Sequence, residues 1–400
     1  MSGAAHAQLA EQVFANVSGG VTNNALVAPD SEPTQIVPDA FTAVRAGLLA
    51  GYTGRRSDQT LAYAYSGTFY ASHPQGDVQS HDLGWRFHVT PTRTIDLRTL
   101  ADLTYSHLSN VNPLAASGAV NPQSVAGATA VPLPGGVASY LGLSAGAVGA
   151  YQPDGRHAWS EYTTLSEVFP TSDNLPQSFS AAQDLRFERS WGRNAFTMDL
   201  LLNYLDASAV GASAGSALPA NQSGGAQFLA GLKHDFSAYV VGTVGAGALL
   251  ATSFNSGDVS IQPVGQATVR YQRGFALAEA SLAQTSQIDP YLGQFLLTDV
   301  LSAGAYLALD RLERFHLVGF GSAQHGSVIT SDGLSTADDL LVGDLGLSYR
   351  PLQYAVVISL DYNVEDQVGH QVGSVGFPSL HRQMGLLTVT GIWRSDTGLR

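Results

Sequence analysis

Thr94 to Leu108 reads TIDLRTLADLTYSHL. Ile95, Leu97, Thr99, Ala101, Leu103 and Tyr105 take the odd positions. Asp96, Arg98, Asp102, Thr104 and Ser106 take the even ones, with Leu100 the exception. A strand sends alternate side chains to opposite faces, so this stretch predicts one strand with an apolar face and a charged face. Its length of about fifteen residues far exceeds the five or six of an ordinary globular strand. The same opposition recurs along the chain. Residues 79–90 set Leu83, Trp85, Phe87 and Val89 against Asp82, Arg86 and His88. Residues 195–208 set Phe196, Met198, Leu200, Leu202 and Tyr204 against Thr197, Asp199 and Asn203. Residues 353–364 set Tyr354, Val356, Ile358, Leu360 and Tyr362 against Ser359, Asp361 and Asn363, and 178–189 gathers Asp184, Arg186 and Glu188 on one side. The Gly- and Ala-rich runs 238–253, 296–309 and 314–327 yield no face assignment.

About eighteen such runs follow one another (sixteen is the alternative count). They lie near 10–18, 41–53, 60–72, 79–90, 94–108, 137–151, 158–170, 178–189, 195–208, 224–234, 238–253, 259–271, 275–287, 296–309, 314–327, 339–349, 353–364 and 382–394. Short turns carrying Arg or Lys recur roughly every forty residues and alternate with longer loops at 19–40, 73–78, 109–136, 171–177, 209–223, 254–258, 288–295, 328–338 and 365–381. Long two-faced strands, an even count and short turns opposite long loops predict an all-β, transmembrane, antiparallel up-and-down barrel with a water-lined interior. A propeller also repeats every forty or so residues, but with four strands per blade and Gly-His or Trp-Asp signatures; each period here holds two long strands and neither signature. Loop 109–136 is uncharged and is expected to be either a surface flap or a lumenal constriction.

Composition agrees. Charged residues make up 13% of 400, about half the usual share of roughly a quarter, while hydrophobic residues make up 44% and glycines number 43. No run of about eighteen apolar residues predicts a spanning helix. With no cysteine, disulfides and thiolate sites are excluded. Ala5-His6-Ala7 has the A-x-A form of a signal-peptidase site, so residues 1–7 are read as the remnant of an export signal and 8–400 as one barrel domain.

Charge is distributed by end. Twelve of eighteen Arg lie in or beside the short turns or the C-terminal tail: 55, 56, 93, 156, 189, 193, 273, 311, 314, 350, 394 and 400. Arg55, Arg56, Arg93, Arg156, Arg193, Arg273, Arg311, Arg314 and Arg350 form the predicted periplasmic basic rim. The long loops carry Asp30, Glu32, Asp39, Asp77, Asp173, Asp258, Asp289, Asp332, Asp338 and Asp366 instead. The net charge of −13 hides this polarity. Arg facing anionic headgroups, and carboxylates facing the cations that bridge lipopolysaccharide, account for it. A basic mouth that attracts an anionic polymer or an acidic partner also accounts for it.

Motifs for chemistry are weak. Gly142-Leu143-Ser144-Ala145-Gly146 fits G-x-S-x-G but lies within a strand, not on the strand-to-helix turn of a nucleophile elbow. Gly242, Gly245 and Gly247 lack the Lys-Ser/Thr of a phosphate loop. The 11 His form no H-E-x-x-H, and His81-Asp82 and His107 read as polar residues near a rim. No enzyme, metal or cofactor is expected. Asn16-Val17-Ser18 and Asn221-Gln222-Ser223 are sequons without force in a bacterial outer membrane.

On the charged faces Arg45, Asp82, Arg86, His88, Asp96, Arg98, Asp102, Asp184, Arg186, Glu188, Asp199, Lys233, Arg270, Glu279, Asp344 and Asp361 are predicted to point inward, since a charge on the lipid face costs up to about 2–4 kcal/mol. The substrate-contact candidates among them are Arg45, Asp82, Arg86, His88, Asp96, Arg98, Asp102, Asp184, Arg186, Glu188 and Arg270. Wall salt bridges across strands serve the same residues.

In its hairpin layout the chain resembles Gram-negative outer-membrane β-barrels, and among those of about eighteen strands it is similar to the stand-alone barrels of polysaccharide-export systems. The resemblance covers nearly the whole chain. One departure is that Ile392-Trp393 is followed by RSDTGLR where such barrels finish on an aromatic. The resemblance implies an outer-membrane location, lipid and lipopolysaccharide as surroundings, and a polymer conduit working with a periplasmic export protein. Substrate-specific or general porins share the size class, and a non-transport surface-binding barrel is the third expectation.

Overall fold

The computed structural model describes residues 8–26, 36–108, 138–171, 176–209, 220–289, 294–312, 314–330, 333–351, 356–372, 375–376 and 379–397. Eighteen long strands run in chain order: β1 Gln8–Thr22, β2 Asp39–Thr53, β3 Ser57–Tyr70, β4 Val78–Val89, β5 Ile95–Leu108, β6 Ala138–Tyr151, β7 His157–Pro170, β8 Ser178–Trp191, β9 Asn194–Ala207, β10 Asn221–Asp235, β11 Val240–Ser253, β12 Val259–Arg273, β13 Ala276–Asp289, β14 Gln294–Ala308, β15 Phe315–Thr330, β16 Gly333–Tyr349, β17 Val356–Gly369 and β18 Leu380–Thr397. Each pairs antiparallel with the next, and β1 pairs with β18, closing the sheet into a barrel. Closure removes the edges that lipid cannot satisfy.

Hydrogen bonds between strands that are not neighbours identify the inner face. Asn203 Nδ2 on β9 donates to Ser286 Oγ on β13 at 2.9 Å, and Arg382 Nη2 on β18 donates to Tyr70 Oη on β3 at 3.0 Å. The opposite face carries an apolar band all the way round. Every strand places an exposed large hydrophobic residue there, from Val13, Leu48 and Leu61 to Leu345, Leu360 and Leu387. Aromatic side chains fringe this band at both ends: Tyr52, Tyr151, Trp159, Trp191 and Tyr271 near the short turns, and Phe69, Tyr105, Phe179, Phe254 and Tyr362 near the long connections. An apolar belt about as tall as a bilayer core, bounded by aromatic girdles, places the barrel in a Gram-negative outer membrane. The short turns are then periplasmic. The two tightest, β8–β9 and β12–β13, each need a left-handed residue, supplied by Gly192 at φ 58° and Gly274 at φ 54°.

Several strands extend beyond their apolar alternation, because the wall continues above the lipid, where neither face must be apolar. The expected loop 328–338 shrinks to the link between β15 and β16. Asp338, expected in that outer loop, instead lies on β16, faces inward and is only 3% exposed. Asp366, also expected in a loop, lies on β17. Beyond β17 a two-residue ladder pairs Gln371–Val372 with Val375–Gly376. Residues 1–7, loop 109–136, and Asp30, Glu32, Asp173 and Asp332 fall outside the described residues.

The wall is uneven at one seam. β12 and β13 share eight residue pairs, from Gln266 with Ala283 to Arg273 with Ala276, all on the periplasmic side. Above them β12 keeps its ladder to β11 as far as Thr252 with Val259, and β13 keeps its ladder to β14 as far as Asp289 with Gln294. The outer half of β13–β14 instead turns inward onto the lumenal side of β9–β12. Leu297 of β14 joins Leu229, Leu249, Ala251 and Val264 in one buried apolar cluster. Ser286 N donates to the Gln227 side chain at 3.1 Å, and Thr285 Oγ1 donates to it at 3.3 Å.

Candidate functional site

The site is the inner wall from β3 to β9. Register carries one face from strand to strand: Ala64 opposes Asp82, Asp58 opposes His88, His88 opposes Arg98 and Gly84 opposes Asp102. This face includes Ser66 and Ser80, whose hydroxyls hydrogen bond across the strands. The next rungs bring Ser160 opposite Arg186, Tyr162 opposite Asp184 and Arg186 opposite Asp199. The structure therefore gathers Asp82, Arg86, His88, Asp96, Arg98, Asp102, Asp184, Arg186 and Glu188 on one continuous lumenal surface. Arg45, on β2, directly opposes Ser66 of this face, and its guanidinium lies 5.8 Å from the Phe14 ring centre on β1. Arg270 lies on the far side of the barrel, directly opposite Glu279. Lys233, Asp344 and Asp361 share the inner parity of their own strands.

Two ionic ladders hold this wall. His88 bridges two carboxylates, with Nδ1 2.8 Å from Asp58 and Nε2 2.9 Å from Asp96. Asp96 also takes Arg98 Nε at 2.9 Å and Nη2 at 3.3 Å. The bonds leave Arg98 61% exposed. Further round, Arg186 Nε lies 3.4 Å from Asp199 and Nη2 3.8 Å from Glu188. Thr104 donates to Asp82 at 2.9 Å. Exposed charges in partial pairs suit a wet wall: they are anchored, yet each guanidinium keeps donors for a passing solute.

At the periplasmic mouth the rim divides. Arg55, Arg56 and Arg93 surround one basin of about 560 Å³ that is floored by Ile95 and Asp96, so the basin leads directly to the His88 ladder. Arg56 Nη1 also donates to the Pro91 carbonyl at 3.0 Å, tying the two turns together. Arg156, Arg193, Arg273, Arg311, Arg314 and Arg350 belong to other hairpins and do not line this basin. Two of those turns are acid-stapled. Asp154 accepts from the His157 ring and from the backbone N–H groups of Arg156 and His157, which hold its carboxyl down at about 2. Asp310 accepts from the Arg314 side chain and from two backbone N–H groups, with the same result, about 2.

Opposite this wall the lumen is filled. Besides the cluster at Leu297, the outer half holds Leu340, Gln367, Leu380, Arg382 and Leu386, each no more than 2% exposed. Alternation read along single strands did not reveal them, because a lumenal Leu is anomalous only once its neighbours are known. Some polar residues point the other way, to the outer surface. Glu161 and Gln183 oppose one another's neighbours there and hydrogen bond at 2.7 Å. Glu167 accepts from Gln177, and Glu161 edges an external groove of about 580 Å³ with Leu97, Trp159, Phe187 and Phe228. His81 is likewise external, in an aromatic patch with Tyr63, Tyr65 and Tyr105, and its ring bonds the Tyr63 hydroxyl at 2.9 Å. Among the described residues, no group of three His, Asp or Glu is placed to hold a metal ion. Ser144 of the G-x-S-x-G match lies mid-strand, opposite Asp102 and Ser166.

No family model matches the chain, and a comparison with curated proteins gives no match. Among solved structures it is similar to the outer membrane protein OpdK from Pseudomonas aeruginosa, at 8% identity over 96% of this chain and 99% of that one, with a TM-score of 0.45. It is also similar to OccAB3 from Acinetobacter baumannii (9% identity, 97% and 99% covered, TM-score 0.45). The alcaligin outer membrane receptor FauA from Bordetella pertussis is a third (11% identity, 95% and 76% covered, TM-score 0.42). The fold assignment rests on the chain's own strand register.

Proposed function

We propose that the barrel is a passive outer-membrane channel for small solutes, selected by the charged inner wall of β3–β9. The observation that carries this reading is the division of the lumen. One side is a wet wall of exposed Arg86 and of half-paired Arg98 and Arg186 among carboxylates, fed by the Arg55–Arg56–Arg93 basin. The other side is packed protein. A hydrated polymer needs a wide, continuous wet bore, and the buried Leu297 cluster and the Arg382–Tyr70 contact narrow the outer half. The basic rim gave polysaccharide export its appeal, but only three of the nine rim Arg gather at one basin, which weakens that reading in favour of the porin one.

Planar bilayers test the choice. A small-solute channel gives steady ohmic steps from the purified barrel alone. A silent barrel that conducts only with an added periplasmic partner would overturn the proposal.

A further inference from the structure

Three periplasmic turns, β2–β3, β4–β5 and β6–β7, meet at the basin of about 560 Å³. Their backbones are tied to one another. Thr90 N–H donates to the Arg56 carbonyl at 2.8 Å, and Gln152 N–H donates to the Thr94 carbonyl at 2.8 Å. Arg56 Nη1 reaches across to the Pro91 carbonyl at 3.0 Å. The basin is thus framed by hydrogen bonds between turns.

Its positive charge is unspent. Among the described residues, neither the Arg55 nor the Arg93 side chain has an ion pair or a hydrogen bond. The one carboxylate in the lining, Asp96, is already matched. Arg98 Nε donates to its Oδ1 at 2.9 Å, and His88 Nε2 lies 2.9 Å from its Oδ2. Two whole guanidinium forks and the rest of Arg56 therefore line the basin with no protein anion to satisfy them. Thr92 and Gln152 add a hydroxyl and an amide.

This donor set selects among anions. A carboxylate offers two oxygens in one plane, which a single guanidinium fork satisfies. Guanidiniums from separate turns call for more oxygens and more charge. A phosphate monoester brings three terminal oxygens and nearly two negative charges at neutral pH. The volume exceeds what a bare phosphate ion fills and is in the range of small organic ligand sites. Among the lining residues only Ile95 and Ala150 are wholly apolar, so the organic part that fits is hydroxylated and is not a lipid tail. Resting on the reading of the barrel as a channel, we infer that the Arg55–Arg56–Arg93 basin binds the phosphate group of sugar-sized phosphate monoesters where they pass between lumen and periplasm.

The test is calorimetric titration of glucose 6-phosphate into the intact barrel in phosphatidylcholine nanodiscs. Glucose 6-phosphate should bind about ten-fold more tightly than glucose or citrate, the scale of one charged hydrogen bond. Arg55→Ala/Arg93→Ala should weaken it by about ten-fold or more on the same scale. Arg93→Lys, which keeps the charge but not the fork, should fall between the two. Arg350→Ala, on a turn that does not line the basin, should leave binding unchanged. Equal binding of citrate, or binding that survives the loss of both arginines, would overturn the phosphate site. In nanodiscs containing phosphatidylglycerol the affinity should hold. Its loss there would mean that a lipid headgroup takes the basin, and would overturn the assignment to a soluble ester. Potassium chloride conductance of the same preparation separates the two ideas. A conducting barrel that binds no glucose 6-phosphate sinks the site alone, and a binding barrel that never conducts sinks the channel reading alone.

Discussion

The two sides of this barrel solve the same problem differently. From β3 to β9 the inner wall meets water, so its side chains are charged, paired by twos and threes, and partly exposed, as in the Asp58–His88–Asp96–Arg98 ladder. From β10 to β15 the inner wall meets protein, so Leu229, Leu249 and Val264 are buried under Leu297. The outer surface carries an apolar band on both sides because lipid lies there, interrupted near β4, β7 and β8 by Glu161, Gln183, Glu167 and His81. What differs is only the medium inside, and it changes which residues are tolerated and what each contributes to stability.

The largest expected effect is on the packed side. Leu249→Ala should cost about 2–5 kcal/mol, the range for deleting a buried leucine side chain, read as a lower urea midpoint for the folded barrel. Gln227→Leu comes next. It strips the acceptor from Ser286 N–H and Thr285, and an orphaned buried donor costs about 1–3 kcal/mol; hydrogen exchange at Ser286 should accelerate. On the wet side Arg98→Ala should change stability by less than about 1 kcal/mol, as exposed ion pairs do, yet move the reversal potential in a salt gradient. If Arg98→Ala destabilised the barrel as much as Leu249→Ala, the contrast between the sides would fail.

The smallest effect belongs to the periplasmic turns. Asp154, held at about 2, contributes fully above the ordinary carboxylate value of 3.8 and loses that contribution as pH falls toward 2. His157→Ala should raise the Asp154 carboxyl toward 3.8 in an NMR titration, with a small loss of stability near neutral pH that fades as pH falls toward 2.

The same contrast explains what could be read from the sequence. Strands β4, β5 and β9 were legible because lipid on one face and water on the other enforce a period of two. The stretches 238–253, 296–309 and 314–327 resisted assignment, and they are the β11, β14 and β15 of the packed side. There Leu249 faces inward and Leu250 outward, and Leu296 and Leu297 are both buried, so alternation carries no signal. The seam was not legible at all: 259–271 reads as one unbroken strand, although only 266–273 pairs with β13. Glu161 and Glu167 escaped because a lone carboxylate on an outward face needs its Gln partner from the next strand to be understood. The basic turns marked the periplasmic end, but which three Arg converge depends on how hairpins sit side by side, a fact of register that local pattern does not contain.

The most direct measurement is the reversal potential of single channels across a potassium chloride gradient, for the native barrel and for Arg86→Glu/Arg98→Glu. A channel selected by the β3–β9 wall conducts without a partner, and replacing two lumenal guanidiniums by carboxylates shifts its reversal potential toward cation selectivity with the conductance steps retained. An unchanged reversal potential, or a native barrel that never opens alone, would contradict it.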